Sequence, residues 1–190
     1  RDLVARGMSS GGEGIDPEFT PDVFLQDGET LDIGNGLSVE TVWTPGHLSN
    51  HLCFALGEAL FTGDHVMAWA STLISPPDGD LTAFMASCRK LAGRDARIHY
   101  PAHGAEIADP AARLAWLIAH RESREAEILA ALSKAPATIA GLTRAIYTDT
   151  PPALIAAAER NVFAHLIDLT IREHVRPAPR LEATARFHRT

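Results

Sequence analysis

Thr44-Pro45-Gly46-His47, Phe61-Thr62-Gly63-Asp64 and Pro101-Ala102-His103-Gly104 are three segments in which a short run ends in a small residue beside a histidine or an aspartate. Proline fixes the backbone φ angle and glycine adopts conformations that other residues resist, so each run can end sharply at a sheet edge. Imidazole and carboxylate groups suit zinc, iron or manganese, and a set without cysteine is typical of catalytic metal sites. A single histidine near a turn is usually an ordinary surface or core residue, but the three segments together predict a metal site.

The residues around these segments predict several strands and one helix. Residues 29–33 and 37–43 are expected to form a hairpin, because apolar residues alternate along the second strand and Gly34-Asn35-Gly36 suits a tight turn. Further strands are predicted over residues 51–56, 59–62 and 97–100. A helix is predicted between Asp80, which suits an N-cap, and Gly93, since apolar residues recur at helical spacing between them.

The C-terminal part of the sequence predicts three helices followed by a strand. The first helix is expected to run from Asp109 to Pro136, and Thr138 is expected to cap the second. The third is predicted over residues 152–174, and the alternation of apolar and polar residues over 181–188 predicts a half-buried strand. Three helices followed by a strand indicate a winged helix.

Composition excludes several classes of protein. The chain has 190 residues, of which 46% are hydrophobic and 22% charged, so disorder is not expected. The formal net charge is −7, which gives no overall basic footprint for nucleic acid. Cys53 and Cys88 lie in apolar runs without a Cys-x-x-Cys motif, so we expect two reduced, buried thiols in a cytoplasmic protein. No apolar run is long enough to span a bilayer, and no membrane partner is expected.

The three segments, with His65 directly after the second, resemble the last three ligand motifs of the metallo-β-lactamase superfamily in order and spacing. The helical tail extends the resemblance to the subgroup with a C-terminal winged-helix domain, which includes mitochondrial β-lactamase-like endoribonucleases, and hydroxyacylglutathione hydrolases are similar. The resemblance implies an α/β fold in which residues 1–110 form the C-terminal part of an αββα sandwich. Residues 111–190 would form a winged-helix-like domain, and the Gly-rich residues 1–20 are expected to be a mobile loop.

Carried over residue by residue, the resemblance implies that His47 binds the first metal, Asp64 bridges both metals and His103 binds the second. Two divalent metals, with zinc preferred over iron or manganese, would activate a water molecule for hydrolysis. The family's His-x-His-x-Asp-His motif, which supplies further ligands and the water-orienting aspartate, does not occur in this sequence. The resemblance therefore implies that this motif precedes Arg1 and that a chain beginning there is inactive.

Three other residues lie close to the expected ligands in the sequence. His51 and His65 are candidates for anchoring a ligand from behind, with solvent or core positions as the alternative. Trp69 and residues 71–77 follow Asp64, and they are expected either to wall a substrate pocket or to pack in the core.

The favoured interpretation is a hydrolase that acts on a small-molecule thioester, ester or lactone. The alternative is an endoribonuclease, whose third tail helix would present cations to phosphates, but Arg160 is the only cation in residues 152–162. A third hypothesis is a non-catalytic fragment or interaction module, which would not retain metal. We expect no strong nucleic-acid binding, and self-association into a homo-oligomer is one anticipated outcome.

Overall fold

The computed structural model describes residues 18–190, so the loop predicted over residues 1–20 lies outside it except for the last three residues. The described chain divides into two compact units. We call residues 18–72 with Thr82–Ala119 the sheet unit, and Leu73–Leu81 with His120–Thr190 the helical unit. The boundary predicted between residues 110 and 111 coincides with the start of a long helix, which continues into the helical unit.

A five-stranded sheet with the order β1-β2-β3-β4-β5 forms the sheet unit. The strands are β1 (Thr30–Gly34), β2 (Leu37–Trp43), β3 (Leu52–Leu56), β4 (Ala59–Gly63) and β5 (Ile98–Pro101). The first four strands pair antiparallel, and β5 pairs parallel with β4. Strands β2, β4 and β5 therefore run in the same direction, and their C-terminal ends meet at one edge of the sheet.

The hairpin and the helix predicted for the sheet unit are both present. The turn between β1 and β2 places Asn35 at φ 56° with glycines at positive φ on both sides, a conformation that these residues tolerate best. Helix α1 (Leu81–Ala92) connects β4 to β5 and buries Phe84, Cys88 and Leu91. A helical crossover is what a parallel strand pair requires.

Aromatic residues remain exposed on one face of this sheet. Phe54, Phe61 and Tyr100 are register partners across β3, β4 and β5, so their side chains lie on the same face. The rings of Phe61 and Tyr100 stack with centroids 5.5 Å apart, and both side chains are exposed, as is Trp43 at the end of β2. Phe61, Tyr100 and Trp43 are 43%, 39% and 47% exposed, so this face presents partly accessible aromatic surface.

The helical unit contains helices and a small sheet with the order β6-β8-β7. Its elements are the part of α2 (Pro110–Lys134) from His120 onward, β6 (Ala137–Thr138), α3 (Ile139–Ile146), a 3-10 turn (Pro152–Leu154), α4 (Ile155–Ile171), β7 (Val175–Ala178) and β8 (Arg186–Arg189). The hydroxyl of Thr138 accepts a hydrogen bond from Gly141 N at 3.2 Å, which is the cap predicted for α3. One hydrophobic core joins these elements, and it includes Ile128, Leu142, Val162, Leu166, Leu169 and Phe187.

The predicted tail strand is only partly correct. Residues 181–185 form a turn, in which Ala185 N donates to Glu182 O at 3.1 Å, and the strand begins at Arg186. Glu182 also receives hydrogen bonds from the side chains of Arg180 and Thr184, so local polar contacts override the alternating pattern. Strand β7 was not predicted from the sequence, and it completes the sheet of the winged helix by pairing with β8.

No helix among residues 18–190 combines the length and the apolar character that a membrane-spanning segment requires.

Candidate metal centre

Asp64 and His103 lie together at the edge of the sheet where β4 and β5 end. His103 Nε2 is 3.6 Å from Asp64 Oδ1, and Ala102 N donates to Gly63 O at 3.0 Å between the two segments. The parallel pairing of β4 and β5 explains this juxtaposition, because the two strands deliver their following residues to the same edge. Two of the three predicted ligands are therefore brought together by the sheet.

His47 follows β2, the third strand that ends at this edge. Its segment packs tightly against α1: a Cβ on Gly46 would lie 2.3 Å from Phe84 Cα, and Ser87 Oγ donates to Pro45 O at 2.8 Å. The ring of His47 lies edge-on to the ring of His51, with centroids 6.4 Å apart. Glycine is required at position 46 because the helix backbone occupies the space of any side chain.

His51 is placed behind the Asp64 segment. Its Nδ1 is 2.8 Å from Thr44 Oγ1. Its Nε2 is so close to Gly63 that a Cβ added there would lie only 2.7 Å from it. Burial lowers the pKa of His51 to about 4, with His47 lowering it further and Asp64 opposing the shift. The ring is therefore neutral, and Thr44 contacts its Nδ1.

His65 is fully buried beneath the same turn. Its ring packs against Phe84 with centroids 4.6 Å apart, and burial lowers its pKa to about 3. Thr72 Oγ1 lies 2.6 Å from Asp64 O and 3.0 Å from His65 O, so its hydroxyl holds the backbone of both residues. The Thr72 hydroxyl thus contacts the backbone of the Asp64 turn, and the His65 ring packs beneath that turn.

The donor atoms of this edge fit a metal ion in part. Asp64 Oδ1 is buried and has no hydrogen-bond partner among residues 18–190, and a bound cation facing His103 would satisfy it. Within residues 18–190, no three His, Cys, Asp or Glu side chains are arranged closely enough to hold a metal ion. Asp64 and His103 are therefore the pair that fits a shared metal, whereas the contact described for His47 is with His51.

Arg113 is a residue of this region that sequence reasoning missed. Its Nε donates to Met67 O at 2.7 Å and its Nη2 to Ala70 O at 2.6 Å. Arg113 therefore binds the backbone on both sides of Ala68 and Trp69. No sequence pattern could reveal these bonds, because they join backbone carbonyls to a side chain far along the chain. Trp69 itself is 71% exposed, which excludes the core position considered for it.

Comparison with known proteins identifies the superfamily to which the chain belongs. Residues 3–103 match the metallo-beta-lactamase superfamily, and residues 138–180 match the beta-lactamase associated winged helix domain. The chain belongs to the metallo-beta-lactamase superfamily, as its sequence motifs predicted. Members of this superfamily bind divalent metals.

Individual relatives agree with this assignment. The lactamase-like protein adaB from Aspergillus niger is 38% identical over 143 residues, covering 72% of this chain and 44% of that protein. A metallo-beta-lactamase family protein from Thermus thermophilus, TTHA1429, is 28% identical with a TM-score of 0.77, covering 90% of this chain and 55% of that one. A beta-lactamase domain protein from Burkholderia ambifaria is 21% identical with a TM-score of 0.78 and shows the same fold, covering 90% of this chain and 54% of that one. The chain thus spans about half the length of these relatives.

Proposed function

We propose that the protein is a metal-dependent hydrolase that cleaves a thioester, an ester or a lactone. The observation that carries this proposal is the buried, unsatisfied Oδ1 of Asp64 facing His103 Nε2 at 3.6 Å. A carboxylate oxygen in that position is satisfied when the two residues share a cation.

In this proposal, Asp64 and His103 hold one or two divalent metals, with zinc the preferred ion, and His47 is a further ligand. Bound metals would supply Lewis-acid polarisation of a substrate oxygen and an acidified water. The residues of this chain do the positioning: His51 supports the Asp64 segment and Thr72 fixes the Asp64 backbone. The aspartate that would orient water belongs to the His-x-His-x-Asp-His motif, which is not among these 190 residues.

An endoribonuclease is the second candidate, and the charges of the winged helix count against it. Arg160 and Arg172 lie in and just after α4, but Arg172 is paired with Asp168 at 2.7 Å and with Glu125. The surface of α4 therefore offers few cations to phosphates. In fluorescence anisotropy with short RNA and DNA at two salt concentrations, we expect dissociation constants weaker than about 1 μM. Tight binding that falls steeply with salt would favour the nuclease.

We further propose a cytoplasmic location and a small-molecule substrate, without a membrane partner. Both cysteines, Cys53 and Cys88, are buried free thiols, and burial raises the pKa of Cys53 to about 11. Thiols protected in this way are typical of proteins from a reducing compartment.

The proposed function is tested with the complete natural protein by metal analysis after dialysis and by turnover of thioester, lactone and RNA substrates. Asp64→Asn is expected to lower both metal content and hydrolysis, the latter by more than about 100-fold, since it removes a ligand charge. The exposed Asp95→Asn is the matched control and should retain both. Retained metal and unchanged turnover in Asp64→Asn would overturn the ligand assignment, and loss of metal from the unchanged protein would favour a non-catalytic module.

A further inference from the structure

Trp69 is the large apolar side chain that stands most exposed beside the candidate metal centre. It lies on the loop between Asp64 and Thr72, and 71% of its surface is accessible. Among the described residues, only Phe24 exceeds this exposure among large apolar side chains. Exposing an indole costs free energy in water, so a fixed exposed tryptophan suggests a surface that a ligand covers.

The indole lies directly on the segment that carries His103. A Cβ on Gly104 would be 3.0 Å from Trp69 Cδ1 and 3.6 Å from Trp69 Nε1, so the ring rests against the backbone one residue after the ligand. Gly104 also has φ +96°, a conformation that other residues rarely adopt. The missing side chain at position 104 thus leaves room for the ring against the segment that carries His103.

Arg113 fixes this loop by contacts with its backbone. Its two hydrogen bonds, to Met67 O and Ala70 O, bracket Ala68 and Trp69, and its guanidinium stacks on Trp116 with 4.4 Å to the ring centroid. A planar guanidinium that serves two carbonyls cannot be replaced by the single ammonium of lysine. The exposed position of Trp69 is therefore built by specific contacts.

From these contacts we infer that Trp69 determines substrate specificity by binding the apolar acyl group of the substrate, and that Arg113 is its positioning residue. The inference rests on the proposed hydrolase function. An indole face next to the metal-binding edge offers apolar area to the part of an ester that lies beside the reacting carbonyl. A nucleobase could also stack on an indole, but Arg113, the cation that contacts this loop, is engaged by backbone carbonyls and Trp116.

The test uses Trp69 as its own reporter. The chain contains three tryptophans, so the double variant Trp43→Phe and Trp116→Phe leaves Trp69 as the single tryptophan. Phenylalanine at position 116 keeps an aromatic face for the guanidinium of Arg113. The complete, metal-loaded protein is titrated with straight-chain carboxylates from acetate to decanoate, which are the product class of ester and thioester hydrolysis. We expect saturable quenching, with affinity rising about two- to fourfold for each added methylene.

Three further variants separate a binding role from a structural one. Trp69→Ala should weaken binding of long carboxylates more than binding of acetate, as measured by competition, so that the dependence on chain length is lost; metal analysis checks that the metal content is retained. Arg113→Lys should raise KM for long acyl esters more than it raises KM for acetyl esters, with kcat affected less than KM. Leu154→Ala removes an exposed apolar side chain in the helical unit. It should change neither the dependence of binding on chain length nor KM for long acyl esters.

Each outcome decides the inference separately from the proposed function. Ester turnover with the same chain-length preference in Trp69→Ala overturns the role of Trp69 and leaves the hydrolase standing. Chain-length-dependent quenching in a protein without esterase or thioesterase activity supports the role of Trp69 and defeats the proposed reaction. Quenching by mononucleotides but not by decanoate, together with RNA cleavage, overturns both.

Discussion

Single glycines set how closely the ligand segments approach their neighbours. Gly46 combines φ +144° with a Cβ position 2.3 Å from the backbone of Phe84, so any side chain there collides with α1. Gly63 adopts φ +53° with His51 Nε2 2.7 Å from its Cβ position, and the imidazole takes the space that a side chain would need. These two residues are conformational requirements of the site, although neither one binds anything.

Gly46→Ala is expected to destabilise the fold by about 2–4 kcal/mol, since it adds a collision with backbone to an unfavourable φ. Gly57→Ala is the matched control, because Gly57 has φ +57° with nothing within 4 Å of its Cβ position. The control should cost only about 1 kcal/mol. Urea denaturation measures both, and equal losses would show that the contact with α1 is unimportant.

His165 makes stability depend on pH. Its ring is 1% exposed, and neither ring nitrogen has a hydrogen-bond partner in the described part of the chain. Its pKa is lowered to about 3 by burial and by the nearby charges of Arg121, His120, Arg172 and Arg124. A neutral ring is therefore favoured in the fold, and the unfolded chain binds its proton first. This contribution to stability is complete above pH 6.5 and is lost as the pH falls from 6.5 towards 3.

Replacing His165 with methionine should remove much of this dependence. Between about pH 7 and pH 5, the wild-type free energy of unfolding is expected to fall by about 2 kcal/mol more than that of His165→Met. Chemical denaturation at the two pH values gives the difference. His174→Gln provides a control because His174 is exposed, and identical pH slopes for wild type and His165→Met would contradict the prediction.

At the scale of elements, the edge formed by β2, β4 and β5 gathers the three segments, and short-range bonds then fix each one. Ser87 on α1 holds the carbonyl before Gly46, and Thr72 holds the carbonyls of Asp64 and His65. The direction of the strands decides which segments meet. The hydroxyl contacts then hold the backbone of the segments that carry the candidate ligands His47 and Asp64.

Thr72→Val is expected to lower metal affinity by about 10-fold or more while leaving the protein folded, since it removes the hydroxyl that holds the Asp64 backbone without changing the shape of the side chain. Competition with a chromophoric chelator measures the affinity, and circular dichroism checks the fold. The exposed Thr148→Val serves as a control with the same chemistry. Unchanged affinity in Thr72→Val would mean that the turn is fixed by other contacts.

At the scale of the whole molecule, the exposed aromatic face affects self-association, and the number of candidate ligands affects metal binding. Trp43, Phe61 and Tyr100 are exposed on the sheet, and large apolar faces of this kind favour association. We expect a chain of these 190 residues, produced by itself, to self-associate and to bind metal weakly. Light scattering after size-exclusion chromatography measures the first property, and Phe61→Lys should reduce association. A stable monomer that binds stoichiometric metal and hydrolyses a thioester would contradict both expectations.

The sequence by itself determined the hairpin and the helices, because glycine and proline punctuation and apolar periodicity are local properties, while the resemblance of its motifs identified the superfamily and proposed the ligands. Tertiary structure decided the rest. The turn over residues 181–185, the strand β7, the clamp of Arg113 and the exposure of Trp69 depend on polar contacts and pairings whose partners no local pattern identifies. Asp64 and His103 could be proposed as ligands from their motifs, but their meeting depends on the parallel pairing of β4 and β5, which only the folded chain establishes.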